Sequence, residues 1–545
     1  MNNTITLIDS SIIIVYLIGI LVIGVLSVRL KKMTSDGYFL AGRGLNWVLV
    51  GAALFASNIS TIHLVGLAAS GYNEGLVWGN FEWLASISLI MLGLIFAPFY
   101  FKSKISTLPE FLEKRYDSRS RTVMAFIAII GALFVHIGMS LYAGAVVFET
   151  FFGINVITSI LVISVITTIY TVLGGLKAVV VTETVQSVIL ILGAVMLTGF
   201  ALFALSDAGI NTLAEFKANI KPGQLKMLHT KESLGALGGD TGLTWYACLL
   251  GYPVLGLWYW CSDQTIVQRV LGAKTQSDAQ LGPILAGFLK ILPVFILVFP
   301  GVIAYVLFED IIGTNANMAL PVMINELLPV GLKGLMAATL LAALMSTIAA
   351  ALNSSATLVA VDIVKRLNPG ISDRKQIKIG RYAAIIVMLL AMAWSTQGGK
   401  FSSIFEAINK IAAAIAPPVA VVFLFGVFSK RGTRQAAFVT LISGLLLGII
   451  AFCIDFEPIS GYMYLTQGWG IPFMMQAWWL FVICTVIYFL VSFATEKSST
   501  DILKKYTWDK PLAVLTRDKF YGLKDARLWA GVLILSLIIL YSIFS

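Results

Sequence analysis

Two apolar segments of this chain are interrupted near their middles, one at Ala56-Ser57-Asn58-Ile59-Ser60 and one around Gly251-Tyr252-Pro253 and Gly256. Unwound backbone is costly in hydrocarbon, because every unpaired amide or carbonyl there loses its hydrogen-bond partner. It survives only where it lines a protected cavity or holds something polar. A matched pair of such breaks implies a pathway for a polar solute and an ion.

The composition around the breaks fixes the solvent. The chain has 545 residues, of which 58% are hydrophobic and 12% charged, and its mean hydropathy is +0.90. These are the values of an integral membrane protein. About 14 stretches are long and apolar enough to cross a hydrocarbon core of roughly 30 Å as helices. They fall near 10–30, 46–72, 78–104, 121–151, 156–173, 177–205, 243–267, 277–308, 333–365, 375–397, 401–428, 433–453, 471–495 and 526–544. Nothing positive precedes the first, which is also as long as a true crossing, so it reads as a membrane helix and not a cleavable signal. Cys248, Cys261, Cys453 and Cys484 lie in apolar stretches without disulfide or zinc spacing and read as buried free thiols.

The net charge of +10 does not point to nucleic acid, because the basic residues gather in alternate loops. Arg29, Lys31, Lys32 and Arg43 share one side with the clusters 102–121, 365–381, 430–434 and 497–527. The positive-inside rule puts that side in the cytoplasm, and an even number of spans leaves both termini outside. The long loops, external 206–242 and basic internal 496–525, carry no phosphate-cradling glycine motif, nucleotide fingerprint or metal-ligand cluster. An ATP-driven pump and a soluble catalytic domain are therefore not expected. The short external loops and absent long tails fit a bacterial inner membrane.

The breaks fall in the second and seventh spans. A spacing of five implies two five-helix units, and an odd number inverts the second copy. The expected organisation is a flanking helix and inner loop at 1–45, a first repeat at 46–205 and an external loop at 206–242. A second repeat at 243–428 and flanking helices at 429–545 complete it. Inverted repeats with a broken first helix place their sites near the bilayer midplane.

Ionisable groups within apolar helices need a reason, since each costs roughly 2.5 to 3.5 kcal/mol at mid-membrane on insertion scales. His63, Glu82 and Lys290 are the main cases. Counted along their helices, His63 lies roughly 25 Å and Lys290 roughly 20 Å from the inner end of their spans. Their depths are compatible with one shared polar ligand. An acid, a base and an imidazole suit a polyhydroxyl compound, whose hydroxyls both donate and accept and need no net counter-charge. A structural ion pair that tightens helix packing is the plainer alternative.

The residues around the breaks resemble the sodium:solute symporter family, and within it the sodium/sugar cotransporter branch. The resemblance covers nearly the whole chain. Its motifs are Ala56 to Ser60 with Gly66-Leu67-Ala68, Phe81-Glu82-Trp83, LPEFLEKR at 108–115 and LWYWCSDQTIVQR at 257–269. GFLKILP at 287–293, Leu352 to Ser355 and Asp362-Ile363 complete the set. The resemblance implies an all-α membrane protein with a LeuT-type 5+5 inverted-repeat core. It also implies sodium as the co-transported ion, held by backbone carbonyls of the first broken helix and groups of the eighth core helix: Ala56, Ile59, Ala343, Ser346 and Thr347. The last three, spaced i, i+3 and i+4, share a helical face.

Further hydroxyls that some members carry one turn later are here Ala349 and Ala350, and an acidic position that is usually Asp is Glu183. One sodium per solute is the resulting expectation. The resemblance assigns substrate contact to His63, Glu82 and Lys290, with an amide at Asn409 where the family commonly has Gln. Tyr259 and Trp260 would stack on a sugar ring, Tyr259 also closing the inward route. Leu67, Phe81 and Phe405 match outer gates. Asp263 and Gln264 are read as holding the inner half of the second broken helix, and His136 as a packing histidine. No organic cofactor is called for, and the oligomeric state is left open. Other readings are a sodium symporter of a non-sugar solute (sialic acid, inositol, a carboxylate) and, further off, a membrane glycosyltransferase or a receptor.

Overall fold

The structure is a computed structural model that describes residues 6–27, 33–238, 242–397, 404–508 and 520–545, with backbone only at 404–407. It is all-helical; among the described residues the one β-type pairing is an isolated bridge between Leu45 and Ala273. The helices used below are α1 (Leu7–Leu26), α2 (Trp47–Asn58), α3 (Thr61–Glu74), α4 (Asn80–Met91), α5 (Ser118–Gly131) and α6 (Ser140–Phe152). They continue as α7 (Val156–Asp207), α8 (Trp245–Gly256), α9 (Gln264–Leu271), α10 (Gln276–Leu289), α11 (Phe299–Ile312) and α12 (Leu332–Thr357). The last are α13 (Asp373–Ser395), α14 (Ile404–Phe428), α15 (Arg434–Ile454), α16 (Phe473–Ala494) and α17 (Ala526–Ile543).

Among the described residues, 11 helices are long and apolar enough to cross a membrane. α7, at 52 residues, would measure about 78 Å as a straight helix, far more than one crossing needs. It turns at Gly175, whose φ of +61° leaves the helical region. α2 and α8, at 12 residues each, are too short to cross alone. α12 lies at the centre, with 94% of its most apolar window buried, whereas the windows of α1, α15, α16 and α17 are 22–28% buried and present apolar side chains outward.

The first break stands where the sequence puts it. α2 ends at Asn58, Ile59 and Ser60 are extended, and α3 starts at Thr61. Ser60 and His63 form a capping box that satisfies the amides at the new helix start. The second break is displaced. α8 runs through Gly251, Pro253 and Gly256 into a wide turn at Leu257–Ser262, and the chain leaves the helix at Asp263, whose ψ is 125°. Leu257 still donates its N–H to Pro253 O, so the proline does not end the helix. The glycines serve close approach: a Cβ on Gly251 would lie 2.3 Å from Met474 O, and one on Gly256 2.2 Å from Ser88 Oγ.

This difference is testable. If Gly251 marked an unwound point, alanine there would be tolerated. Against the Met474 carbonyl it is expected to destabilise by about 1–3 kcal/mol, the usual penalty of overpacking. Thermal unfolding of Gly251→Ala in detergent measures this; an unchanged midpoint contradicts the packing role.

Candidate functional site

A cavity of about 130 Å³ opens between the two broken helices, beside the loop at Asn58–Ser60 and the wide turn at 257–262. His63, Phe81, Glu82, Tyr259, Trp260, Lys290 and Asn409 all line it, as does Thr347. The structure therefore brings together every residue expected to contact substrate.

The charges meet each other before they meet anything else. Lys290 Nζ forms an ion pair with Glu82 Oε2, and it donates to Asn58 Oδ1 at 2.5 Å. Lys290 is 1% and Glu82 2% exposed. The Lys290 ammonium also stands 5.6 Å from the centroid of the Trp260 ring. This wall of the cavity is thus polar and locally balanced in charge. Asn58 is the partner that sequence reasoning missed; its place as the last residue before the break is the signal that could have found it.

His63 is oriented by the backbone. Its Nδ1 accepts from the Ser60 amide at 3.3 Å and lies 3.0 Å from Ser60 Oγ. Because an amide can only donate, Nδ1 is the unprotonated nitrogen, and a neutral ring then carries its proton on Nε2. His63 thus offers a donor where the Glu82–Lys290 pair offers both kinds of group.

Aromatic rings bound the cavity. Phe81 stacks on Trp78 at 5.4 Å and meets Tyr252 edge-on at 5.5 Å. Tyr259 meets Trp260 edge-on at 5.0 Å and stands 5.9 Å from His136. His136 and Tyr252 are lining residues that the sequence did not single out as such. His136 Nε2 lies 2.9 Å from Asp263 Oδ2, and Asp263 caps α9 by accepting from Thr265 N. Leu67 is fully buried in the apolar core and is not among the lining residues. Phe405 falls where the side chains lie outside the described residues.

Behind the cavity, α12 presents its hydroxyls to the end of α2. Ser346 Oγ is 2.8 Å from Ala56 O and 3.0 Å from Ala343 O. Thr347 Oγ1 is 3.1 Å from Ser57 O and 3.3 Å from Ala343 O. The carbonyl of Ser57, not that of Ile59, is the second one bound to α12; Ile59 itself is fully buried at the break. Each hydroxyl has one proton for two carbonyls, so these oxygens outnumber the protons between them. Ser57 Oγ in turn donates to Glu183 at 3.0 Å, and Glu183 forms a fully buried ion pair with Arg269 of α9. Among the described residues, no group of three or more His, Cys, Asp or Glu could hold a metal. An ion here would meet neutral carbonyl and hydroxyl oxygens, the ligands of a hard monovalent cation.

These features define a multi-pass membrane carrier with a solute cavity beside an oxygen-lined helix break. The chain belongs to the sodium:solute symporter family, whose model matches residues 38–444. It is a sodium-coupled symporter. It is 33% identical over 536 residues to sodium/glucose cotransporter 1 of Ovis aries, covering 92% of this chain and 80% of that one. It is 33% identical over 545 residues to sodium/myo-inositol cotransporter 2 of Bos taurus, covering 92% and 78%. The fold is shared with an outward-open, sodium-coupled sialic acid symporter at a TM-score of 0.77 and 22% identity, covering 91% of this chain and 99% of the other.

The Glu82–Lys290 pair yields a prediction that separates charge balance from fit. Removing Lys290 alone strands a buried carboxylate, a loss of about 3–5 kcal/mol. Lys290→Met is therefore expected to be much less stable than Glu82→Gln/Lys290→Met, with neither transporting. Unfolding midpoints of the single and double variants, combined as a double-mutant cycle, check it; equal midpoints contradict it.

Proposed function

We propose that this protein carries a neutral polyhydroxyl solute, a hexose or a cyclitol, into the cell with one sodium ion. The observation that carries the reading is the charge-balanced Glu82–Lys290 pair on the cavity wall. A carboxylate solute would want an uncompensated cation, and here the Lys290 charge faces Glu82. Donors and acceptors from Glu82, Lys290, His63, Asn58 and Asn409 match a ring of hydroxyls, and Trp260 and Tyr259 supply faces for its apolar side. The glucose and myo-inositol named for relatives at 33% identity are solutes of this class. The anionic alternative, sialic acid, comes from a fold-level likeness alone.

Sodium is assigned to Ala56, Ile59, Ala343, Ser346 and Thr347, with the Ser57 carbonyl as a further oxygen. Glu183, engaged by Arg269 and Ser57, and the alanines at 349 and 350 support a single ion. Binding would draw the end of α2 onto α12, shaping the solute cavity in front of it while the outer side, with Phe81 as a gate, is open. Closure, with Tyr259 yielding, then exposes both inward. We read α2–α3 and α8–α9 as single broken crossings and α7 as two. About 14 crossings then form a 5+5 inverted-repeat core with repeats at 46–205 and 243–428 and both termini outside a bacterial inner membrane. The solute is moved without chemical change and without an organic cofactor. A potential near 100 mV gives about 2.3 kcal/mol per charge, and an assumed tenfold sodium gradient adds roughly 1.4. One sodium then sustains accumulation of about 500-fold.

Uptake of labelled glucose, galactose, myo-inositol and N-acetylneuraminate into proteoliposomes, with and without an inward sodium gradient, tests the reading. A neutral polyol is expected to accumulate only with sodium, at one sodium per solute by parallel labelled-sodium flux. Preferential uptake of the acidic sugar, or a ratio of two, would contradict it.

A further inference from the structure

The loop 206–242, read as external, runs against the charge bias of the chain, for it carries Lys217, Lys221, Lys226 and Lys231 in one short stretch. Lysines on the face that the bias leaves poor in basic residues need a reason. Three of them, Lys217, Lys221 and Lys226, line a cavity of about 500 Å³, larger than the solute cavity. Its other walls are mainly apolar. Leu213 and Ile220 come from the loop, Phe295 and Phe299 from the start of α11 and the turn before it, and Ile543 from the end of α17. No acidic side chain lines it.

The cavity sits at the edge of the hydrocarbon. Phe299 lies roughly 35 Å along its helix from Gln276, about the thickness of the apolar core. Leu213 and Ile543 are 64% and 65% exposed, so the apolar wall continues onto the surface of the protein. Bonds between distant segments fix the shape. Met227 N donates to Phe544 O at 2.7 Å, Asn80 Nδ2 donates to Met227 O at 2.6 Å, and the Tyr541 hydroxyl donates to Asn80 Oδ1 at 2.8 Å. Phe295 packs against Phe544 at 5.9 Å and against Trp83 at 6.1 Å.

The lysines differ in what they already hold. Lys221 donates to Asn73 O at 3.1 Å, and its ammonium stands 4.9 Å from the centroid of the Tyr305 ring. Lys217 and Lys226 are exposed and, among the described residues, form no ion pair. Two uncompensated ammonium groups beside an apolar cavity at the hydrocarbon edge are complementary to an anion that carries apolar chains. A free phosphate would gain nothing from the phenylalanines, and a zwitterionic lipid brings a cation that the lysines repel.

We propose that this cavity binds an anionic phospholipid of the surrounding bilayer, its phosphate at Lys217 and Lys226 and the upper part of its acyl chains against Phe295, Phe299 and Ile543. The site is separate from the solute cavity and stands whatever solute is carried.

The test uses the purified full chain in a mild detergent and needs no transport. Dioleoylphosphatidylglycerol, dioleoylphosphatidylcholine and glycerol phosphate are each titrated against wild type, Lys217→Ala/Lys226→Ala and Lys217→Arg/Lys226→Arg, with bound lipid counted by native mass spectrometry. The basic cytoplasmic loops also attract anionic lipid, so the difference between wild type and variant reads the site. The expected result is one phosphatidylglycerol held about tenfold more tightly than phosphatidylcholine in wild type. That preference disappears in the alanine pair and persists in the arginine pair, and glycerol phosphate does not displace the lipid at the same concentration. Equal binding of the two lipids, or a preference for phosphatidylglycerol that survives the alanine pair, overturns the proposal. Displacement by glycerol phosphate alone would make this an anion site without a lipid and overturns it as well.

Discussion

Everything in this structure depends on how the end of α2 is held. A helix that stops in the middle of a membrane protein leaves carbonyls without intrahelical partners, and in an apolar interior these must be met or the helix must re-form. Ser346 and Thr347 meet those of Ala56 and Ser57 from across the interface with α12. Both bonds are made by hydroxyls, which can turn their protons elsewhere and offer lone pairs instead. The same contact can therefore exist as a hydrogen-bonded junction or, on the proposed sodium assignment, as a cation site, and that dual use would link ion binding to the position of the broken helix.

The buried charges follow the same economy. Glu82 with Lys290 and Glu183 with Arg269 are both almost fully buried, and each pair is tied to the loop or the helix end beside the first break, through Asn58 and Ser57 respectively. Breaking such a pair is far more costly than never having had it, so each pins its helices in place. One pair lines the cavity and the other is bonded to Ser57, whose carbonyl meets Thr347 of α12. A change at the break is thus felt on both sides of α2.

Much of this was legible in the sequence. Apolar run lengths marked the spans, against which 11 helices among the described residues are long and apolar enough to cross, and the stretch Ala56 to Ser60 marked the first break, after which the structure restarts the helix at Thr61. The depths of His63 and Lys290 were readable from residue counts, but counts give no azimuth, so the direct contact between Lys290 and Glu82 and the part of Asn58 were not. The second break was misplaced because glycine and proline signal unwinding and close packing alike. At Gly251 and Gly256 the neighbours Met474 and Ser88 decide for packing, and both are distant in sequence. Asp263, which the sequence reads as holding the inner half of the broken helix, caps α9 there, while its contact with His136, distant in sequence, was not legible.

The central claim is that the contact between α2 and α12 is the sodium site and that it shapes the solute cavity. Binding of the transported polyol to the purified protein, titrated by calorimetry with and without sodium in wild type and Thr347→Ala, tests it most directly. The account predicts that sodium tightens polyol binding at least about tenfold, or 1.4 kcal/mol, in wild type and that Thr347→Ala abolishes this gain. Equal sodium enhancement in both proteins would contradict it.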